Sequence, residues 1–527
     1  SNIMSQKKLL GKLYARHIIW LVTLSFFIGT LFLVAYYKVH PVFLFAPLLM
    51  LVLVTIDSFQ SKHSVRRNYP LVGRLRYLFE SVRPEFRQYF FEGELDGKPF
   101  NRRQRSIVYQ RAKNEKQTIS FGMQDEPNRI GYEWAAHSIY PKKNDFSQFR
   151  VTIGNSQCSK PYSASIFNIS AMSYGALSKT AISSLNEGAK MGNFAHNTGE
   201  GGISDYHLKG GDLIWQIGTG YFGCRDGKGH FNDALFVEKA NLKEVKMIEI
   251  KLSQGAKPGH GGLLPAEKNT PEIARIRALE PHKTVHSPSA HTAFSNATEL
   301  LYFIHKLRTL SNGKPVGFKI CIGKKEEFTE IIEAMLNTNI LPDFITIDGA
   351  EGGTGAAPLE FIDYMGMALS DALVFAHKSL VDYGLRNEIK ILASGKIISA
   401  FDIAKSMSLG ADACYSARGM MFALGCIQAL QCDSGKCPVG IATQDKSLYK
   451  GLDITDKRVR VANFHKNTLK AVAEFIGACG FESPDQVTAE TFFRRVNYNT
   501  NLNFKEIYFT NPETKSKTLD KETIFLN

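Results

Sequence analysis

Cysteine is scarce in this chain. There are eight among 527 residues and none before Cys158, which excludes a small disulfide-stapled scaffold. Acidic residues are nearly missing from the start: residues 1–60 hold five Lys/Arg against one acid, and residues 61–116 hold fourteen against six. Most of the net charge of +14 therefore sits in the first quarter of the chain, and the rest is close to neutral. A nucleic-acid-binding surface spread over the whole protein is excluded on that ground. Apolar residues are not lacking: at 44% they match an ordinary globular composition and exclude wholesale disorder. The length implies about two to four domains, although one α/β barrel alone absorbs about 250 residues.

Charge is also missing from residues 18–37, a run of twenty residues without one. That is the length needed to cross a hydrocarbon core of about 30 Å. A short break, Lys38-Val39-His40-Pro41, precedes a second apolar run at 42–56, closed by Asp57. A signal peptide or a buried core helix is the alternative for the first run. Two runs in tandem between basic flanks read instead as a membrane hairpin over residues 1–60. Lys7, Lys8, Lys12 and Arg16 lie before it; Lys62, Arg66, Arg67, Arg74 and Arg76 lie after it. The positive-inside rule keeps both flanks in the cytoplasm, so the expected location is the inner (cytoplasmic) membrane with the large C-terminal part facing the cytoplasm. Residues 61–160 form a basic juxtamembrane and linker region. In it Arg102, Arg103 and Arg105 lie either against anionic headgroups or on an ordinary solvated face.

From about Ser165 short apolar runs alternate with helical periods. Candidate strands are 165–172, 193–197, 246–252, 283–287, 315–322, 343–348, 389–394 and 411–416, separated by amphipathic stretches such as 179–191, 270–279, 326–336 and 400–408. Eight strands and their helices make a (β/α)8 TIM barrel, with a doubly wound open sheet as the runner-up. The glycine-rich stretch 204–243 reads as a long segment folded over one end, and 476–527 as a C-terminal tail with a Lys/Thr-rich surface piece at 514–522. Glycine clusters close most of the strands, and backbone N–H groups at such turns cradle phosphate. After the last strand come Cys426, Cys432 and Cys437. Three thiols without a neighbouring fourth Cys or His suit a [3Fe-4S] cluster better than zinc; three buried cysteines acting as small hydrophobes are the alternative.

The segments AMSYGALS (171–178), NTGEGGIS (197–204), QGAKPGHGG (254–262), DGAEGGTGAAP (348–358) and MFALGCIQALQCDSGKCPVGIATQ (421–444) resemble the FMN-binding synthase domain of glutamate synthase. The resemblance covers residues 161–475 and is most specific in the triple-cysteine segment. It implies a barrel holding FMN, with a [3Fe-4S] cluster on Cys426, Cys432 and Cys437 forming an iron–sulfur loop after the last strand. It does not extend to the glutamine amidotransferase or β-helix domains of glutamate synthases. The chain is closer to stand-alone, membrane-tethered members of the group, which leaves ammonia to come from solution or from a separate glutaminase partner.

The resemblance also implies chemistry. A 2-oxo acid and ammonia combine to a 2-imino acid, which reduced FMN converts to the amino acid, with electrons supplied by a ferredoxin-like or other donor through the cluster. Lys251 and Arg277 then bind substrate carboxylates, and Glu200 manages ammonium and its protons. Surface salt bridges for the two cations and a helix cap for Glu200 are the plain alternatives. For FMN the motif positions nominate Ser173, Thr198, Gln254, Lys319, Gly353, Gly395 and Gly419, with Lys319 stabilising the anionic reduced ring. Two residues depart from the family pattern: His260 stands for Glu and Leu263 for Gln. A competing expectation follows, a membrane-anchored flavin/iron–sulfur electron-transfer protein without glutamate synthase activity.

Overall fold

The computed structural model describes residues 14–510, so Lys7, Lys8, Lys12 and the stretch 514–522 lie outside the described residues. The chain divides into two compact units between Pro99 and Phe100.

In the first unit the uncharged run forms the helix Ala15–Tyr36, and the second run forms Phe45–Phe59. Between them Pro41 opens a short turn, Pro41–Leu44, where a β-branched and aromatic run would otherwise continue straight; the His40 ring accepts from the N–H of Val42. The two helices lie against each other, with Trp20 donating to Thr55 at 3.4 Å. Most of their surface is exposed apolar side chain, and Ala15–Tyr36 and the stretch Pro41–Phe59, turn and helix together, are long and apolar enough to cross a membrane.

The second unit is built on a closed barrel of eight parallel strands. In chain order they are β1 (Phe167–Ile169), β2 (Ala195–Asn197), β3 (Asp212–Ile217), β4 (Val245–Lys251), β5 (Val316–Ile320), β6 (Phe344–Asp348), β7 (Lys390–Ser394) and β8 (Ala413–Ser416). Each pairs with its neighbour in sequence, and β8 closes on β1 with Cys414 opposite Phe167. The strands are buried along nearly their whole length because helices cover the outside and side chains fill the inside. Inside, Glu249 accepts from Asn197 at 2.8 Å, Gln216 at 2.7 Å and Thr346 at 2.6 Å, so the one carboxylate in that layer is fully satisfied. The antiparallel pair Arg150–Ile153 and Tyr162–Ser165 puts Ile153 and Tyr162 among the inward side chains of the barrel floor.

One expected strand is wrong and one was overlooked. Residues 283–287 do not enter the barrel; Val285–His286 pairs antiparallel with Leu263–Leu264 in a small outlying hairpin. The strand that takes its place in the barrel is β3, DLIWQI, inside the stretch expected to fold over one end. Glycine density on both sides hid a six-residue run whose Leu213, Trp215 and Ile217 pack outward into the main core. Arg105 corrects a second expectation: it is buried and donates to the Phe100 carbonyl at 2.7 Å, so it faces no lipid. The long helix Ile454–Ala478 packs on Lys179–Gly192, where a side chain at Gly188 would meet Val461 at 2.6 Å. Beyond it Phe492–Arg495 pairs with Glu133–Ala135.

Candidate active site at the barrel mouth

The C-terminal ends of β5 to β8, with Ser170 and Ala171 after β1, line an open cavity. Five of the seven residues nominated for the cofactor line it: Gln254, Lys319, Gly353, Gly395 and Gly419. Lys319 is buried, 3.6 Å from Asp348. Asp348 is itself held by the Gly255 N–H at 2.8 Å, which ties the loop after β4 to the end of β6. Gly395 has φ +136, which a side chain would strain, and a Cβ on Gly353 would stand 2.8 Å from Arg418 Nε. The wall there has to be bare backbone. Arg418 donates to the Glu351 carbonyl at 2.6 Å and lies over the Phe100 ring at 4.8 Å; burial lowers its guanidinium to about 10. Lys396 lines the same cavity, 5.4 Å from the Phe100 ring. Three cations against one lining carboxylate, beside glycine walls, fit a planar ring with a phosphate, and so fit flavin mononucleotide.

The other two nominees sit elsewhere. Ser173 lies 3.4 Å from Arg277. Thr198 is fully buried, its hydroxyl donating to the Gly199 carbonyl and accepting from the N–H of Gln216.

On the β4 side Lys251 ends its strand and donates to Glu200 at 2.8 Å, with Glu200 23% exposed. Burial pushes the Glu200 carboxyl up, but Lys251, Lys257 and Arg277 outweigh it and hold the group below its ordinary value. Arg277 is buried at the end of the helix Pro271–Arg277. It donates to the Tyr174 carbonyl at 2.8 Å and lies over Phe222, while its Nε has no protein partner. Gly175 and Gly201 make room for it, since a Cβ on either would come within 2.7 Å of Nη2. Behind Lys251, His291 donates from Nε2 to its carbonyl at 2.8 Å and meets the Tyr221 hydroxyl at 3.0 Å. Glu200, Lys251 and Arg277 are thus brought together, with Glu200 in the field of both cations.

The two departing residues go different ways. His260 is exposed and packs on Phe361. Leu263 is 47% exposed on the outlying hairpin, while its neighbour Gly262 is the residue next to Glu200, 3.2 Å from it if given a Cβ.

Lys257, Lys396, Arg418 and Phe100 went unnoticed in the sequence. Lys257 stands inside QGAKPGHGG and Arg418 directly precedes Gly419, so position in a motif was an available signal. Phe100 lies far upstream and had none.

The three cysteines follow the helix Arg418–Ala423. Burial, with the neighbouring Cys432 and Cys437, pushes the Cys426 thiol up to about 12; burial and Cys437 raise Cys432 as well. Lys268 Nζ donates to the Cys432 carbonyl at 2.7 Å. The donor type suits an iron–sulfur cluster, yet among the described residues no three Cys, His, Asp or Glu are gathered at metal-binding distance.

The family model described as a conserved region in glutamate synthase matches residues 108–482. The chain belongs to this family. Among its relatives is the glutamate synthase large subunit-like protein YerD of Bacillus subtilis, 37% identical over 82% of this chain and 90% of that protein. The archaeal glutamate synthase [NADPH] of Methanocaldococcus jannaschii is 35% identical over 68% of this chain and 66% of its own length. The glutamate synthase [NADPH] large chain of Bacillus subtilis is 30% identical over 62% of this chain, which spans only 21% of that protein. A double mutant of flavocytochrome b2 with sulfite bound is a distant likeness among solved structures, with TM-score 0.43 and 12% identity over 80% of this chain and 87% of that one. This glutamate synthase-like chain is accordingly an oxidoreductase on a TIM-type barrel.

Proposed function

We propose that this protein reduces a 2-imino dicarboxylic acid, formed from a 2-oxo acid and ammonia, to the corresponding amino acid. The observation that carries this reading is the Lys251–Glu200 pair with Lys257 and Arg277 beside it, at the same end of the barrel as the cation-lined cavity. The buried guanidinium with a partnerless Nε suits a carboxylate of the oxo acid. Lys257 supplies a second positive charge, and Glu200, kept ionised, holds ammonium and takes up the protons released on imine formation. Flavin mononucleotide, held by Gln254, Lys319, Arg418 and the glycine walls, would supply the hydride to the imine carbon. Cys426, Cys432 and Cys437 would hold a [3Fe-4S] cluster able to pass electrons from an external ferredoxin-like donor. The hairpin would anchor the protein in the cytoplasmic membrane with the barrel on the cytoplasmic side.

Purified protein prepared without oxygen should carry flavin and about three irons per chain. Cys432→Ser should remove the iron and keep most of the flavin. Zinc, or no metal, in such a preparation would remove the cluster from the account. Titration with 2-oxoglutarate should perturb the flavin spectrum; a spectrum indifferent to every oxo acid would favour the electron-transfer reading instead.

A further inference from the structure

Downstream of the hairpin, in the same compact unit, the helix Val72–Phe86 leaves an apolar face uncovered. At about 100° per residue, Val72, Leu75, Leu78, Phe79, Val82 and Phe86 fall within one arc of about 120°. All but Val82 are well exposed, Phe79 at 65%. The opposite side of the helix is the packed one. Gly73 lies so close to the short helix Ser64–Asn68 that a Cβ would sit 2.9 Å from the Arg66 Cα, and the Tyr77 ring meets His63 at 4.8 Å. The inward face is therefore fixed, and the apolar arc has to point out. The wide helical turn Arg87–Phe91 continues it with Tyr89, Phe90 and Phe91, Phe90 being 74% exposed.

Charge completes the pattern. Arg76, Arg83 and Arg87 line one border of the arc, seven and then four residues apart, Arg76 paired with Glu80 at 3.2 Å and Arg87 with Glu92 at 3.1 Å; from such a border long cationic side chains can reach headgroups while their stems cover apolar surface. The helix is also tied to the end of the second apolar helix. Asp57 accepts from Arg66 at 2.6 Å, from Arg74 at 2.7 Å and from the N–H of Leu71 at 3.1 Å. That knot fixes the helix start near the point where the hairpin leaves the bilayer. An apolar stripe with a basic border, continuous with two membrane-length helices, matches a helix lying in the interface.

We propose that Val72–Phe91 lies in the headgroup region of a bilayer containing anionic phospholipid, as a second membrane contact beside the hairpin. The proposal rests on the membrane-hairpin reading, and the test separates the two. The chain has three tryptophans, and Trp20 sits in the first apolar helix. Full-length wild type and a Phe79→Trp variant are reconstituted in vesicles of phosphatidylcholine with about one third phosphatidylglycerol. The lipids carry bromine either near the headgroup or near the acyl terminus. Quenching lost on Trp20→Phe reports the hairpin; the difference between Phe79→Trp and wild type reports the helix.

The added indole should be quenched by shallow bromine at least about twice as strongly as by deep bromine. Replacing Arg76, Arg83 and Arg87 together by Gln should weaken that quenching and remove its dependence on the anionic lipid. An added indole untouched by either lipid overturns the proposal: with Trp20 quenched the hairpin alone stands, and with Trp20 also untouched both readings fall. Shielding that instead rises with protein density in the vesicles would assign the face to a second copy, which also overturns it. Quenching of the added indole without quenching of Trp20 would support the helix and overturn only the hairpin.

Discussion

On the β4 side of the barrel mouth the cations already have a carboxylate: Lys251 is 2.8 Å from Glu200, and Arg277 and Lys257 lie in the same field. On the β5–β8 side the nearest carboxylate to Lys319 is 3.6 Å away, and Arg418 gives its hydrogen bond to a backbone carbonyl. The first group, three cations around the one carboxylate Glu200, is partly balanced within the protein and can exchange partners when an anion arrives. The second is arranged around glycine walls with Asp348 as its one lining carboxylate, so a bound anion adds to what Asp348 supplies. The contrast separates a site that turns over from a site that keeps its ligand, and each of the following substitutions bears on it.

Arg418→Ala should have the largest effect. Removing a charged partner from a desolvated anion costs about 2–5 kcal/mol, so flavin retained after gel filtration should drop steeply, with affinity reduced at least about thirtyfold. Arg277→Ala should spare flavin and remove oxo-acid binding instead, by about thirtyfold, near the lower end of that range because Glu200 partly offsets the guanidinium already. Flavin content and oxo-acid titrations on the same preparations distinguish the two; loss of flavin in both would erase the contrast.

Lys251→Met sharpens the comparison through pH. Glu200 is held low by its cations against burial. Without Lys251 burial gains ground and the carboxyl pKa rises. A raised carboxyl is protonated at higher pH, so the acidic limb of turnover should move up. Stability follows the same sign: the ionised carboxyl's contribution is present above its ordinary value and lost as pH falls through the lowered one, and the variant should lose that advantage. Activity and thermal melts across the acid range check both. Leu263→Gln should do least. The side chain is half-exposed on the outlying hairpin, so a change within about 0.5 kcal/mol in stability and a small shift in oxo-acid preference are expected. A tenfold change in preference would bring Leu263 into the pocket.

Much of the barrel could be read from the sequence because β1, β2, β4 and β6 to β8 run into glycine-containing turns whose spacing tracks the strand–helix repeat. β3 was lost because Gly210 and Gly211 precede it and a loop-like stretch follows, so its apolar run looked like an interruption, while Val285–His286 had the composition of a strand without a neighbour to complete a parallel ladder. The cofactor wall was legible where a motif carried it, as at Gly353 and Gly395. Phe100, which lies under Arg418, could not be found that way, since only the folded chain brings residues so far apart in sequence together. The placement of Leu263 shows the converse limit: a departure from a motif says that something changed, and the register of the hairpin decides which neighbour, here Gly262, meets Glu200.

The most direct test of the central claim is reoxidation of the purified, reduced protein under anaerobic conditions by 2-oxo acids with and without ammonium. The account predicts that a 2-oxo dicarboxylic acid together with ammonium restores the oxidised flavin spectrum and yields one amino acid per flavin, and that Arg277→Ala raises the oxo-acid concentration this needs by about thirtyfold while retaining flavin. A reduced flavin that no combination of oxo acid and ammonium reoxidises, but that passes its electrons to a protein acceptor, would contradict it.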